Sequence, residues 1–208
     1  MPADPQVTGA EALQRLLAGN ERFAAGGGRA RRHRPELATA PTPLAVVLAC
    51  ADSRVAPEIV LDQDLGVVFA VRAAGNTAEE PALLGSIEYG VAVLGAPLVL
   101  VMGHDGCLAV AAALEGDGGP AAPGRIPAVV APIKEALGKA GAGGPGIDAV
   151  ADRLRGAVRE NVRHQAARLA ASGPVLAPAV VAGRLVVAGA CYSPVDGRVE
   201  LLTPTASR

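Results

Sequence analysis

Continuous apolar runs recur along the chain and predict the strands of a buried sheet. The longer runs do not alternate between polar and apolar positions, which is typical of parallel strands covered on both faces. They occupy residues 44–49, 67–72, 96–102 and 184–192. A shorter run at 199–202 follows the sequence Val195-Asp196-Gly197-Arg198, which favours a hairpin turn. The last strand is therefore expected to lie antiparallel at an edge of the sheet.

Apolar residues at helical spacing lie between these runs. The pattern predicts helices over 79–94, 107–114, 126–140 and 147–172, and a shorter one over 57–63. Strands that alternate with helices favour a parallel sheet with right-handed crossovers. We therefore predict an α/β protein with a single domain, residues 1–208. Its mostly parallel central sheet would have about four parallel strands plus an antiparallel edge strand, flanked by helices.

A further helix is predicted ahead of the first strand, over residues 8–25. Leu13, Leu16 and Leu17 recur there at helical spacing, and a run of glycines follows. Residues 1–35 are interpreted as an N-terminal helical arm. The apolar stripe of this helix has to be buried, either on the sheet of its own chain or on a second subunit. The pattern alone favours neither.

Composition and charge narrow the classes of function. The formal net charge is −1, so no overall field attracts nucleic acid or a membrane surface. A basic run at 29–34 lacks the interleaved aromatic residues of a nucleic-acid site, so it is interpreted as a solvated loop rather than as a place for His33 to carry protons. Neither a signal-peptide pattern nor a membrane-spanning stretch is visible. We therefore predict a cytoplasmic protein with no nucleic-acid or membrane partner.

Two strand ends carry soft metal ligands. Cys50 follows the first predicted strand, and His104 and Cys107 follow the third. Ligands bind at the C-terminal ends of strands in open α/β sheets. A Cys2His set that leaves one position open is typical of catalytic zinc, which lowers the pKa of its bound water and makes a hydroxide nucleophile. Because thiolates donate more charge than imidazoles, we expect activity to favour alkaline pH. The third cysteine, Cys191, has no ligand-type neighbour and is predicted to be a packing residue.

Two charged residues follow the first candidate ligand. Asp52 and Arg54 come after Cys50 at intervals of two residues, so on an extended chain all three side chains would point the same way. Asp52 could be a fourth metal ligand. It could instead pair with Arg54 in bidentate fashion and leave that position to water. A purely structural ion pair is the third interpretation.

The signature Cys-x-Asp-x-Arg followed by His-x-x-Cys resembles that of the β-class carbonic anhydrases. Further similar segments lie at 17–23, 53–55, 62–66, 85–89 and 160–162, together with Tyr192. The resemblance implies reversible hydration of carbon dioxide to bicarbonate and a proton by a zinc-bound hydroxide. One zinc ion per chain would be held by Cys50, His104 and Cys107. Asp52 and Arg54 would form the catalytic dyad, with Asp52 on the zinc only in a closed state.

The family resemblance also bears on the pocket and on assembly. It implies a homodimer or homotetramer in which the N-terminal helix embraces the partner. Val55, Phe69 and Tyr89 match residues of the family's substrate pocket, part of which crosses the dimer interface. The chain departs from the family pattern in having Pro41, Ala73 and Leu108 where Gln, Asn and Gly are usual.

Other interpretations follow from these departures. Relatives with the same metal set hydrolyse carbonyl sulfide or carbon disulfide, and pocket shape alone separates them. A zinc-stabilised scaffold or sensor with little turnover is the non-enzyme alternative. Val47 stands where members with a non-catalytic bicarbonate site carry Trp, so that site is not expected here. A thiol phosphatase is excluded, because Ala56 stands where that chemistry needs Arg.

Overall fold

The computed structural model describes residues 7–28, 41–116, 122–138 and 147–202. Its strands are β1 (Ala45–Ala49), β2 (Val68–Arg72), β3 (Leu98–His104), β4 (Val186–Tyr192) and β5 (Val199–Leu201). They form one five-stranded sheet in the order β2-β1-β3-β4-β5. The first four strands are parallel, and β5 runs antiparallel to β4. The predicted α/β fold, with an antiparallel edge strand, is confirmed.

Helices pack on both sides of the sheet. They are α1 (Gly9–Ala24), α2 (Pro57–Val60), α3 (Pro81–Ala92), α4 (Leu108–Leu114), α5 (Ile126–Gly138), α6 (Ile147–Ala170) and α7 (Leu176–Val181). All but α7 lie where the sequence pattern predicts a helix. The pattern does not predict α7, because this helix spans only Leu176–Val181 and contains Pro178. The predicted turn after β2 contains a single 3-10 turn over Ala74–Asn76.

Strand side chains alternate between two apolar layers. Val47 and Ala49 of β1 point to one layer, where they pack with α1, α2 and alternate residues of β3 and β4. Val46 and Leu48 point to the other layer, which is covered by α3, α6 and α7. Every residue of β1 and of β3 is buried, as expected for central parallel strands. A third cluster, around Cys50 and Cys107, joins α4, α5 and α6 beside the carboxyl ends of the strands.

Helix α1 buries its apolar stripe on the sheet of its own chain. Thr8 and Glu11 form a capping box that begins the helix. Ala12, Leu13 and Leu16 are buried among residues of β1, β3 and β4. The sequence leaves open whether this stripe is buried on its own chain or on a second subunit. In the structure it is buried on the sheet of its own chain.

Strand β2 corrects one prediction. The apolar run at 67–72 predicts a strand buried on both faces, but of Val68–Arg72 only Val71 is buried, while Ala70 and Arg72 are exposed. The reason is topological, because β2 pairs only with β1 and so forms an edge of the sheet. Continuous hydrophobicity cannot distinguish an edge strand from a central one.

Some predictions lie outside the described residues. They are the basic run at 29–34 with His33, the first six residues of the predicted N-terminal arm, and the last two residues of the helix predicted over 126–140. In the part of the chain that the structure does describe, none of the helices is both long enough and apolar enough to cross a membrane. The cytoplasmic location stays a prediction.

Asn20 should be a main source of stability for the packing of α1. Its side-chain amide donates to the carbonyls of Val60 and Gly197, at 2.9 and 2.8 Å, and its oxygen accepts from the N–H of Val199 at 2.7 Å. Asn20→Ala would leave three main-chain groups without these partners, so we expect it to lower the free energy of unfolding by about 3 kcal/mol. Urea unfolding followed by circular dichroism measures this change.

The exposed neighbour Glu21 offers the control. Glu21→Ala should change the free energy of unfolding by less than about 0.5 kcal/mol. Equal midpoints for Asn20→Ala and the parent would show that α1 does not depend on this amide.

Candidate metal centre

The three candidate ligands converge at the carboxyl ends of β1 and β3, which are neighbours in the sheet. Cys50 is the first residue after β1, His104 is the last residue of β3, and Cys107 is the residue that precedes α4. Strand β3 runs beyond its predicted end at 102, because its pairing with β4 continues to His104. All three side chains are buried, and their ligand atoms lie within 4.8 Å of one another.

The geometry of these atoms fits a tetrahedral metal ion. Cys50 Sγ and Cys107 Sγ are 3.9 Å apart, which is too far for a disulfide of about 2.05 Å. It is close to the separation of about 3.8 Å that two sulfurs have when each lies about 2.3 Å from one tetrahedral zinc ion. His104 Nδ1 lies 3.1 Å from the carbonyl oxygen of Asp105, so a proton on Nδ1 leaves the lone pair on Nε2. Nε2 is buried and makes no hydrogen bond with any described residue.

Hydrogen bonds to sulfur make the two thiols unequal. The two sulfurs lie within hydrogen-bonding distance of each other, and the backbone N–H groups of Asp52 and Gly75 also point at Cys50 Sγ, at 3.5 and 3.4 Å. These contacts lower the pKa of the Cys50 thiol. The pKa of Cys107 is raised, because its proton is shared with the Cys50 sulfur and because it is buried. The hydrogen bonds around these sulfurs therefore favour the thiolate form at Cys50 rather than at Cys107.

Asp52 is paired with Arg54. Arg54 Nε and Nη2 donate to the two carboxylate oxygens of Asp52 at 3.0 and 2.7 Å, and the Arg54 backbone N–H donates at 2.9 Å. These bonds hold the pKa of the Asp52 carboxyl well below its usual range. Asp52 Oδ2 also lies 3.8 Å from His104 Nε2, so the carboxylate is next to one of the three candidate ligand atoms. The extended exit predicted after Cys50 is wrong, because the chain turns at residues 53–54 and this turn brings the pair together.

Arg72 is a site residue that sequence reasoning missed. It ends β2, in register with Ala49 of β1. Its Nε donates to the carbonyl of Cys50 at 3.1 Å and its Nη2 to the carbonyl of Asp52 at 2.7 Å. One guanidinium therefore holds the main chain on both sides of the candidate ligand loop. The available signal was a charged residue at the carboxyl end of an otherwise apolar strand.

The predicted pocket residues are not gathered in one place within one chain. Val55 is fully buried in the layer that contains α1, whereas Phe69 packs in the layer on the other side of the sheet. Tyr89 is 50% exposed on α3, and its ring centroid lies 6.4 Å from that of Phe69. These two aromatic side chains therefore form a pair beside the edge strand β2.

The structure describes all three residues that depart from the family pattern. The N–H and C=O groups of Ala73 bond to the main chain of residues 49 and 51, so its structural contribution there comes from the backbone. Leu108, next to Cys107, is 77% exposed. Pro41 is also exposed.

Cys191 lies outside the ligand group. It is buried in β4 and its Sγ lies 3.7 Å from Asp105 Oδ1. Burial raises the pKa of this thiol to about 12, so it keeps its proton at physiological pH. Its place in the third apolar cluster fits the predicted packing role.

Comparisons with known proteins agree on one family. Residues 45–199 match the family model described as "Carbonic anhydrase". The chain is 39% identical to "Carbonic anhydrase 2" of Mycobacterium tuberculosis over 204 residues, which cover 95% of this chain and 94% of the relative. It is 37% identical over 202 residues to a carbonic anhydrase of Mycolicibacterium smegmatis, with 95% of each chain covered.

Solved structures show the same fold. A Coccomyxa β-carbonic anhydrase in complex with acetazolamide superposes with a TM-score of 0.72 and 27% identity, over 93% of this chain and 82% of that one. A structure from Sordaria macrospora, whose description reads "two tetrameric beta-carbonic anhydrases", gives a TM-score of 0.73 at 22% identity, over 95% and 97% of the two chains. The second similarity supports the fold alone.

Proposed function

The chain belongs to the β-class carbonic anhydrase family, and we propose that it works with a zinc ion held by Cys50, His104 and Cys107. The reaction is the reversible hydration of carbon dioxide to bicarbonate and a proton. One observation carries the proposal. Two thiols and an unpartnered imidazole nitrogen, all buried, lie within 4.8 Å of one another. Burying three such groups together is costly unless a metal ion satisfies them.

The metal ion and the pair Asp52–Arg54 have different proposed roles in the reaction. A zinc ion bound there would supply a polarised water that loses a proton far more readily than bulk water, on the alkaline side of neutrality because two of the ligands are thiolates. Asp52 is the group placed to accept a hydrogen bond from that water, because its carboxylate is next to one of the candidate ligand atoms and stays ionised. Asp52 Oδ1 already accepts from both Nε and the backbone N–H of Arg54, whereas Oδ2 accepts only from Arg54 Nη2 among the described donors and keeps a lone pair for a further bond.

Asp52 has a second proposed position. If its bond to Arg54 breaks, the carboxylate is free to take the fourth place on the metal, which is the closed state that the resemblance implies. The pair is bidentate, but the side chain of Arg54 is 53% exposed, so solvent weakens the pair. Arg54 and the metal are therefore proposed to compete for one carboxylate.

The substrate pocket is proposed to be completed by a second copy of the chain. Among the described strands, β2 pairs on one side only, and the backbone groups of its other side are of the kind that pair with another chain. Helices α2 and α3 both contact β2. Half-exposed apolar side chains lie on these helices, at the residue after α3 and in the segment between α2 and β2. These are Ile59, Leu65, Tyr89 and Val93. We propose a homodimer, or a homotetramer built from it, that buries this surface and brings Phe69 and Tyr89 towards a metal centre. The embrace of the partner by the N-terminal arm remains a part of this proposal.

The metal assignment can be tested on protein purified without added zinc. Elemental analysis should find close to one zinc ion per chain, and Cys107→Ser should lose most of it because a neutral hydroxyl is a poor replacement for a thiolate. Cys191→Ser is the matched control, because this buried cysteine lies outside the ligand group, and it should keep its zinc. Full zinc content in Cys107→Ser would refute the assignment.

The dyad can be tested by separating metal content from rate. Arg54→Ala should keep its zinc and lose carbon dioxide hydration by about 100-fold or more, because Asp52 is then free to occupy the fourth position. Asp52→Asn should also keep zinc and lose activity, because the neutral amide is a weaker acceptor. Since the pKa of Asp52 is held low, its carboxylate is ionised from mildly acid to alkaline pH, and the loss in Asp52→Asn should be similar across that range. Stopped-flow hydration assays measure both variants.

The exposed pair Asp152–Arg155 on α6 supplies the control for the dyad. Arg155→Ala removes a similar ion pair away from the metal ligands and should leave the hydration rate unchanged. A rate in Arg54→Ala or Asp52→Asn equal to that of the parent would mean that this pair is merely structural.

Assembly can be tested by light scattering at micromolar concentration. The parent should have at least twice the mass of one chain. Val93→Asp, which places a charge at the exposed residue after the C-terminus of α3, should shift the distribution towards monomer. Val181→Asp is the control, because Val181 is 89% exposed on α7, which contacts α6 rather than β2. A folded, monomeric parent would contradict the proposed oligomer.

A further inference from the structure

The 3-10 turn after β2 contacts the sulfur of Cys50 in the candidate metal centre. Its central residue, Gly75, directs its backbone N–H at Cys50 Sγ, at 3.4 Å. Gly75 has a φ of +73°, in the left-handed region, and an added Cβ would collide with the side chain of Ile133. The N–H reaches the sulfur only in this backbone conformation, which glycine adopts easily but does not hold by itself.

Asn161 of α6 holds this glycine from its other side. The side-chain amide Nδ2 of Asn161 donates to the carbonyl oxygen of Gly75 at 2.9 Å. Asn161 is fully buried, so water does not compete for the bond. A continuous path of contacts therefore runs from α6 through Gly75 to the sulfur of Cys50.

Stability alone does not account for an asparagine at this position. The side-chain oxygen of Asn161 is buried and has no hydrogen-bond partner among the described residues. A buried amide with one unpaired group is less favourable than an apolar side chain of similar volume. Asn161 therefore lowers the stability of the fold relative to an apolar residue. Its contribution is to fix the orientation of Gly75.

We propose, on the basis of the zinc function proposed above, that Asn161 is a positioning residue for the metal centre. By fixing Gly75, it keeps the N–H···S bond on Cys50, which withdraws charge from the sulfur and orients it towards the metal. Hydrogen bonds to ligand atoms tune metal sites in this way. Asn161 contacts neither substrate nor metal and acts through the backbone of the turn.

Gln165 provides a matched control. It lies one helical turn further along α6, is equally buried, and also has an unpartnered side-chain oxygen. Its amide donates to Glu79 rather than to Gly75, at 3.3 Å. Gln165→Leu therefore removes a buried amide from the same helix face without touching the path to Cys50.

The test uses protein in which cobalt replaces zinc, because thiolate ligands on cobalt give a charge-transfer band in the near ultraviolet. In Asn161→Leu this band should move to longer wavelength, since a sulfur that loses its hydrogen bond is easier to ionise. The dissociation constant for zinc should rise about 10-fold. Gln165→Leu should leave the band in place and change the dissociation constant less than about 2-fold. Thermal unfolding of both variants reports on the fold, and Asn161→Ala carries the same expectation if the leucine does not fit.

The outcomes separate the two proposals. An unchanged band and an unchanged zinc affinity in Asn161→Leu, beside a parent with a clear thiolate band, would overturn the role of Asn161 and leave the metal centre intact. Equal shifts of the band and of the zinc dissociation constant in Asn161→Leu and Gln165→Leu would also overturn the role of Asn161. The shifts would then come from losing any buried amide on α6. A parent that binds cobalt without a thiolate band would overturn the metal centre itself, and the role of Asn161 with it.

Discussion

The parallel pairing of β1 with β3 is the constraint on which the rest of the structure depends. It aligns the two strands so that Ala49 lies opposite Met102, and this register brings Cys50 beside the end of β3. A shift of one residue would turn every side chain of a strand to the other face of the sheet. The register is held by apolar layers on both faces, since Val46 and Leu48 pack on one side and Val47 and Ala49 on the other. The packing of the core therefore determines the geometry of the site.

Around this fixed centre, the ligand loop is held by backbone contacts more than by the packing of its own side chains. Arg72 holds the carbonyls of Cys50 and Asp52, and Gly75 donates to the Cys50 sulfur. Both residues belong to the end of β2 or the turn after it, so the edge strand serves the site as well as the sheet. Asp52, for which we propose two positions, lies next to a short turn and has an exposed partner in Arg54.

The sheet is asymmetric in a way that matters for assembly. The antiparallel strand β5 forms one edge of the sheet and has only three residues, Val199–Leu201. The other edge, formed by β2, is flanked by exposed apolar side chains. A chain of this kind buries its core completely and still leaves Phe69 and Tyr89 incompletely covered. The open edge and the aromatic pair beside it are what a second copy would have to complete.

Several features of this protein were determined by the sequence by itself. Continuous apolar runs and helical periodicity predict the α/β order, because these patterns reflect local geometry that each segment carries with it. The grouping of Cys50, His104 and Cys107 was also predictable, since these candidate ligands follow such runs closely and the ends of parallel strands meet at one edge of a sheet. Other features were decided only by the tertiary structure. The edge position of β2 depends on which strand pairs with which, and local hydrophobicity does not encode that choice. The contacts of Arg72 with the ligand loop and of Asn161 with Gly75 join residues 20 to 86 positions apart, and only the folded chain brings them together.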